Sequence, residues 1–261
     1  MVHEQESGQQ PLPIAAPCRK LSPTAPFEWL RLGFADIRAA PLISLSYGLF
    51  TAVLSWAMSL VAWRFGGNWL LIAALSGFVF LGPVLCLGLY AISAQLERGR
   101  KPSLYTSIRE AGAHRLGTEM VFALILLVVF LVWARAASLV HVFFPVEAHP
   151  DWSQMVAYLG IGSAVGALFA AFTFAASAFA LPMIMHRDVD AVTAVVTSIN
   201  AVLRNKAAMT VWAGLIILCV LAGFLTGFLG LIVTIPLIGH ATWHGYEQTI
   251  DASVFPRHSR G

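Results

Sequence analysis

Charged residues are scarce in this chain. Lys, Arg, Asp and Glu together make up 11% of its 261 residues, whereas hydrophobic residues make up 58%. A water-soluble domain of this length needs more polar surface than that to cover its core. The composition therefore excludes a soluble globular protein and indicates that lipid is the main solvent. The basic residues fall between apolar runs and not on one continuous face, which argues against nucleic-acid binding.

Cysteines and catalytic motifs are also sparse. The three cysteines, Cys18, Cys86 and Cys219, are odd in number and far apart, so the sequence predicts neither a disulfide framework nor a cysteine metal site. The chain contains no Walker loop, no nucleophile elbow, no HExxH motif and no convincing pair of carboxylates within an apolar run. We therefore expect a protein without enzymatic activity, and the sequence assigns it no cofactor.

The N-terminal segment lacks an apolar core of the length found in signal peptides. Residues 1–26 contain Glu4, Glu6 and three early prolines. They predict a disordered cytoplasmic tail and not a cleaved leader. We divide the rest of the chain into a six-span membrane domain over residues 27–249 and a second cytoplasmic tail over residues 250–261.

Long apolar runs predict the membrane spans. About 20 apolar residues in a helix cross a hydrocarbon core of roughly 30 Å. Six runs of suitable length occur, at residues 42–63, 69–94, 119–140, within 152–185, 207–226 and 229–248. The last two form one apolar stretch that is too long for a single crossing, and Gly223, Gly227 and Gly230 mark its expected reversal. The predicted fold class is an all-α membrane protein with six transmembrane helices.

The distribution of Lys and Arg predicts the orientation of these spans. All of the 16 basic residues except Arg64 and Arg135 fall in the two termini or in the loops after spans two and four. The positive-inside rule places those segments, and hence both termini, in the cytoplasm. An odd number of spans would break this alternation, so six spans are preferred over five or seven.

Three amphipathic segments precede the odd-numbered spans, at about residues 24–38, 103–116 and 190–204. The third begins after Asp190 as helix N-cap, and the first has Pro26 in its first turn. The predicted apolar faces are Phe27, Leu30, Phe34 and Ile37 in the first segment and Val192, Val195, Val196, Ile199 and Val202 or Leu203 in the third.

The same order of elements recurs along the chain. Each amphipathic segment is followed by two spans, and the second span of each pair contains a proline: Pro83, Pro182 or Pro236. The pattern suggests three repeats of an amphipathic surface helix plus a helical hairpin. Repeats of this kind occur both in transporters and in inert scaffolds.

The last predicted span contains the most suggestive polar residues. His240 and His244 are four residues apart and share one helical face, and Glu247 lies one step further along it. Two imidazoles and a carboxylate at this spacing are candidate ligands for a metal ion, and a single His can bind haem. Two alternatives remain open: these side chains form hydrogen bonds with neighbouring helices or water, or they line a path for protons or a substrate.

Two further polar residues are candidates. His186 follows Pro182 by four residues, as His240 follows Pro236, although a solvated span end is the simpler interpretation because Arg187 comes next. Arg135 lies about 24 Å along the third span, near the predicted outer headgroups, where a guanidinium can reach water. An anion-binding role is the alternative for Arg135.

Two stretches of the sequence resemble a known family. They are GPVLCLGLYAIS at residues 82–93, followed by LERG at 96–99, and PLIGHATWHGY at residues 236–246. With the basic segment before span one, the resemblance covers most of residues 20–250 and points to predicted bacterial integral membrane proteins of unknown function. That family is sometimes labelled as a cytochrome c oxidase subunit. The resemblance implies a multi-pass protein of the bacterial inner membrane, but it supplies no catalytic residues.

Three functions are compatible with these observations. The leading hypothesis is a non-enzymatic accessory or assembly partner of a membrane complex, with the lipid bilayer and respiratory subunits as its partners. The second is a small transporter or channel, because hairpins repeat and the spans contain prolines. The third is a haem-binding or metal-binding membrane protein that uses the histidines of the last span.

Overall fold

The computed structural model describes residues 13–65, 82–107, 116–143 and 151–257. These residues are mainly helical, and two isolated antiparallel bridges join chain segments outside the helices. The principal helices are α1 (Ala25–Ala39), α2 (Pro41–Phe65), α3 (Leu87–Glu97), α4 (Leu116–Phe143), α5 (Trp152–Ser177), α6 (Ala180–His186), α7 (Ala191–Arg204), α8 (Lys206–Leu225) and α9 (Leu231–Thr249). The predicted all-α class is confirmed for this part of the chain.

Four of the predicted spans have clear counterparts. Among the described residues, four helical stretches are long and apolar enough to cross a membrane: Pro41–Phe65, Gly117–Leu139, Trp152–His186 and Lys206–Leu225. They correspond to the first, third, fourth and fifth predicted spans, which are confirmed as apolar helices of spanning length.

The other two predicted spans are less complete. Much of the second lies at residues 66–81, outside the described residues, and its described end leads into α3. The sixth coincides with α9, a helix of 19 residues whose second half carries His240, His244, Glu247 and other polar side chains. These side chains lower its hydropathy, so α9 does not stand out as the other four do. A count of six spans stays a prediction.

The reversal between α8 and α9 lies where the glycines predict it. The Phe228 N–H donates to the Gly223 carbonyl at 2.8 Å, and the Gly227 N–H donates to the Phe224 carbonyl at 3.0 Å. This pair of bonds is the Schellman motif that ends helices, and it requires a left-handed residue. Gly227 supplies that residue with φ 62°. The two helices then pack against each other as a hairpin.

Helix α9 lies at the centre of the described bundle and packs on α1, α2, α3 and α8. Two glycines allow close crossings. A methyl group at Gly33 of α1 would lie 2.8 Å from the backbone nitrogen of Ala241, and one at Gly48 of α2 would lie 2.1 Å from the carbonyl oxygen of Ile232. Pro236 has no N–H to bond this Ile232 carbonyl in the usual helical pattern. Because Gly48 has no side chain, its Cα packs directly on this part of the α9 backbone, where the Ile232 carbonyl lacks its usual helical partner.

A break interrupts the fourth predicted span between α5 and α6. The Phe179 N–H donates to Ser198 Oγ at 3.1 Å, and Ser198 Oγ–H donates to the Ala175 carbonyl at 2.7 Å. Pro182 explains the position of the break, because its ring displaces the carbonyl four residues earlier and it has no N–H to bond it. Ser198 of α7 therefore bonds backbone groups on both sides of the break, and the long stretch is divided instead of being one straight helix.

Helix α1 forms at the predicted place, and its buried face includes only part of the predicted apolar face. The buried residues are Pro26, Trp29, Gly33 and Ile37. Phe27 and Phe34 of the predicted apolar face are 56% and 44% exposed, as a helix on the membrane surface allows. Gly33 lies on the buried face, where its missing side chain lets the backbones of α1 and α9 approach each other.

Helix α7 also turns several of its larger apolar side chains outward. The Asp190 side chain accepts a hydrogen bond from the Thr193 N–H at 3.0 Å, which confirms the predicted N-cap. Partial burial raises the pKa of Asp190, but the bonds from Thr193 outweigh that effect and the pKa lies below its ordinary value. The buried face consists of the small residues Ala191, Ala194, Thr197, Ser198 and Ala201. The predicted valine face is turned outward, with Val192 60% exposed and Leu203 57% exposed.

The two chain termini meet at one end of the bundle. The Arg19 N–H donates to the Thr249 carbonyl at 2.8 Å, and the Asp251 N–H donates to the Pro17 carbonyl at 2.9 Å. The Ala16 N–H donates to Thr197 Oγ1 at 3.0 Å. Part of the expected disordered tail is thus packed onto the C-terminal segment and α7.

The threefold repeat stays a prediction. Its first and third copies can be compared, because α1 leads into α2 and α7 leads into α8 in the same way. The surface helix of the second copy falls largely at residues 108–115, outside the described residues.

Candidate functional site

A buried polar centre lies where α9 meets α1, α2 and α3. Small residues of α9 allow this meeting, because a methyl group at Gly239 would lie 2.6 Å from Leu89 of α3 and one at Gly245 would lie 3.0 Å from the Trp29 ring of α1. His240 lies between these two glycines and is 0% exposed. His240 therefore faces the interior of the bundle.

Both ring nitrogens of His240 have partners from other helices. Nε2 lies 2.9 Å from Ser44 Oγ of α2, and Nδ1 lies 2.7 Å from Ser93 Oγ of α3. Ser93 Oγ also lies 2.6 Å from Asp36 Oδ2 of α1. Four helices thus contribute one polar side chain each to a single hydrogen-bonded chain.

The chemistry of these groups assigns the protons. Asp36 as a carboxylate only accepts, so the single Ser93 proton goes to Asp36. Ser93 Oγ must then accept from His240 Nδ1–H, which leaves Nε2 of the neutral ring as the acceptor for Ser44 Oγ–H. Every link in the chain then has one donor and one acceptor.

His244 completes the centre one turn further along α9. Its Nε2–H donates to Asp36 Oδ2 at 2.9 Å. The side chains of His244 and Asp36 are 20% and 14% exposed, so this end of the chain approaches the surface while His240 does not. Asp36 therefore holds α1 against α9 through a direct bond to His244 and an indirect one to His240.

The order Ser44, His240, Ser93, Asp36 resembles a nucleophile, a base and the groups that orient the base. Catalysis also needs space for a substrate beside the nucleophile. Ser44 of α2 is 0% exposed, and α2 packs against α9. The arrangement therefore has the connectivity of a catalytic chain but gives a substrate no access to Ser44.

The three candidate metal ligands are not brought together. His240 and His244 both face Asp36, but Glu247 turns to a different neighbour, His186, with Oε1 3.1 Å from His186 Nδ1. Within the part of the chain that the structure describes, no three His, Cys, Asp or Glu side chains are placed to hold a metal ion. A haem ligand needs a free imidazole nitrogen, and both nitrogens of His240 are engaged by serines. His240 therefore has no free nitrogen for haem iron, and a metal site at His240, His244 and Glu247 stays a prediction.

His186 belongs to a second polar cluster at the same end of α9. Its Nδ1 lies 3.0 Å from the Tyr246 hydroxyl as well as close to Glu247, and its side chain is 9% exposed. The expectation of a solvated span end was wrong for His186, because α9 covers it. Nearby, the Trp243 Nε1–H donates to Glu97 Oε2 at 3.2 Å, which ties the end of α3 to α9.

Arg135 is placed apart from both clusters. It is exposed on α4, whose main neighbours are α5 and α7. This position suits the predicted contact with headgroups or water.

Sequence reasoning missed Asp36, Ser44 and Ser93. One signal was available: Asp36 lies three residues after Gly33, on the face of α1 that a glycine marks for close packing. The two serines lie in apolar runs, where such residues are common and mostly bond their own helix, so their sequence positions gave no comparable indication.

Comparison with known proteins supports the membrane assignment. Residues 70–186 match the model of a family described as predicted integral membrane protein (DUF2189). The resemblance to predicted integral membrane proteins of unknown function is thereby confirmed over this part of the chain, which includes the motif at residues 82–93. No curated protein and no solved structure matches.

Proposed function

We propose that this protein is a non-enzymatic membrane protein that acts by binding other proteins within the bilayer, as an accessory or assembly partner of a membrane complex such as a respiratory one. The observation that carries this proposal is the closed polar centre. Both nitrogens of His240 and the hydroxyl of Ser44 are used within the chain, so these groups join helices and do not meet a substrate.

The outer surface supports the same proposal. Large apolar side chains are exposed along α4, among them Leu127, Leu131 and Val132 at 49%, 56% and 53%. Only 11% of the most apolar 18-residue stretch of this helix is buried within the described bundle. Such a surface is suited to lipid and to the spans of another membrane protein.

We further propose six spans in the bacterial inner membrane, with both termini in the cytoplasm. The contact between the N-terminal and C-terminal segments supports an even number of crossings, because the two segments lie at the same end of the bundle. The Lys and Arg distribution supports the cytoplasm as their compartment.

Photo-crosslinking in native membranes tests the proposal. A photoreactive residue replaces Leu131, which is exposed on α4, and in a matched control it replaces Leu126, which is 3% exposed on the same helix. We expect the probe at position 131 to form an adduct with a specific membrane protein that also co-purifies in mild detergent. The control should react within its own chain. Adducts with lipid alone, together with a protein that migrates alone at every detergent strength, would contradict the proposal.

One observation favours a second function, a small proton-coupled transporter. The hydrogen-bond chain leads from the partly exposed Asp36 and His244 to the buried His240 and Ser44, and Asp/His chains of this kind serve as proton relays in transporters. Proteoliposomes loaded with a pH-sensitive dye distinguish the two functions. Proton flux through the wild-type protein that Ser93→Ala abolishes would favour transport. The absence of proton flux with both the wild-type protein and Ser93→Ala would favour the accessory role.

A further inference from the structure

Helix α1 presents a face that combines aromatic and basic side chains. Phe27 and Phe34 are 56% and 44% exposed, and Arg31 and Arg38 project from the same side. The Arg38 guanidinium lies 4.4 Å from the centroid of the Phe34 ring. Glu28 pairs with Arg31 and offsets part of its charge. Arg38 has no such acidic partner among the contacts of the described residues.

Connectivity places this face at the membrane boundary. Helix α1 ends at Ala39 and the candidate span Pro41–Phe65 begins two residues later. In the same way α7 ends at Arg204 and the span Lys206–Leu225 begins two residues later. Two helices that each lead directly into a span lie where the hydrocarbon core ends.

Asn205 ties the two boundary helices to the same end of the molecule. This residue ends α7, and its side chain accepts from the Leu21 N–H at 2.8 Å and donates to the Arg19 carbonyl at 3.0 Å. Leu21 lies just before α1. The outward apolar face of α7 and the aromatic face of α1 therefore lie at the same end of the bundle, and together they are called the rim.

We propose that this rim is a docking surface for anionic phospholipids. The rim consists of Phe27, Arg31, Phe34 and Arg38 of α1 with Val192, Val196 and Leu203 of α7. Its apolar side chains would enter the acyl boundary while the two arginines contact headgroup phosphates, which is how amphipathic helices lie in an interface. Arg204 and Lys206 are exposed at the same end and add positive charge. This binding site is separate from the protein partners proposed above.

Lipid selection during purification tests the inference. The protein is reconstituted with an equimolar mixture of phosphatidylglycerol and phosphatidylcholine and extracted in mild detergent, and mass spectrometry measures the ratio of the two bound lipids. Arg31→Gln/Arg38→Gln is compared with Arg64→Gln/Arg135→Gln, which removes the same charge from two exposed arginines at the predicted opposite end. We expect the first variant to lose about fivefold or more of the phosphatidylglycerol enrichment, mainly through Arg38 because Glu28 offsets part of the Arg31 charge, and the second to retain the wild-type ratio.

Equal enrichment in the two double variants would overturn the inference. If the first variant does not fold, the wild-type protein and Arg31→Lys/Arg38→Lys provide the test. The lysine variant should keep most of the enrichment because it keeps the charge, and added salt should reduce the enrichment of both proteins. Enrichment that does not respond to salt would also overturn the inference.

Discussion

Replacing His240 by leucine tests how the four helices are joined. Leucine has a similar size, so the main change is the loss of two hydrogen bonds, one to Ser44 and one to Ser93. The site is 0% exposed, so water cannot easily substitute for the ring. We expect His240→Leu to lower the free energy of unfolding and to loosen α2 and α3 from α9.

The magnitude follows from the two bonds. Hydrogen bonds between helices in membrane proteins contribute about 0.6 kcal/mol on average and up to roughly 1.7 kcal/mol. Two such bonds give a loss of about 1 to 3 kcal/mol. The Ser44 hydroxyl can recover part of this by bonding a carbonyl of its own helix, as Thr51 and Ser55 do. His244→Leu removes one bond at a site that water can reach, so we expect about half that loss.

A double-mutant cycle in detergent micelles provides the measurement. If His240 and Ser44 interact as described, the unfolding free energies of His240→Leu and Ser44→Ala should deviate from additivity by about 0.5 to 1.5 kcal/mol. Ser138→Ala is the matched control, because Ser138 is exposed on α4 and bonds only its own helix. That pair should be additive within about 0.5 kcal/mol. Additivity in both cycles, or a His240→Leu protein as stable as the wild type, would refute the reasoning.

Three other predictions concern packing and topology. Gly48→Ala should lower the free energy of unfolding, measured with denaturant, by several kcal/mol, because its methyl group would lie 2.1 Å from the Ile232 carbonyl oxygen. Gly162→Ala is the control: its methyl group would meet nothing within 4 Å, so the substitution should be neutral. Asn205→Ala should release the N-terminal segment and speed its limited digestion by trypsin, since two hydrogen bonds to Leu21 and Arg19 of that segment are lost; an unchanged digestion rate would contradict this. Reporter fusions at residue 149 and at the C-terminus should report periplasm and cytoplasm respectively, and the opposite result at either position would exclude six spans with cytoplasmic termini.

The sequence predicted where several helices form, but it did not predict which of their faces pack on other helices. Apolar length identified four helical stretches of spanning length because lipid imposes a fixed thickness, and the glycines around Gly227 identified the reversal between α8 and α9. In α1 and α7, much of the predicted apolar face is turned outward, and other residues form the face that packs on the bundle. In a protein surrounded by lipid, apolar side chains are stable on either side, so small residues that permit close contact determine the buried face.

The sequence predicted only some of the residues that form the polar centre. His240 and His244 were identified because an imidazole within an apolar helix is costly without partners. Their partners were not, because Asp36, Ser44 and Ser93 come from three other helices and meet α9 only through the tertiary arrangement. For Glu247, in contrast, the sequence identified the residue but not its neighbour. Its spacing placed it near the two histidines, but a small rotation along the helix directs it to His186 instead.

The tautomer of His240 tests most directly whether the polar centre joins the helices with all of its hydrogen bonds made inside the bundle. Nitrogen-15 NMR of protein labelled at histidine, with His240→Gln to assign the signal, distinguishes the two neutral forms of the ring. The hydrogen-bond chain from Ser44 to Asp36 requires a neutral ring protonated at Nδ1, with Nε2 as an acceptor, and a signal that added zinc does not change. A ring protonated at Nε2, or one whose nitrogen signals shift when zinc is added, would contradict the account.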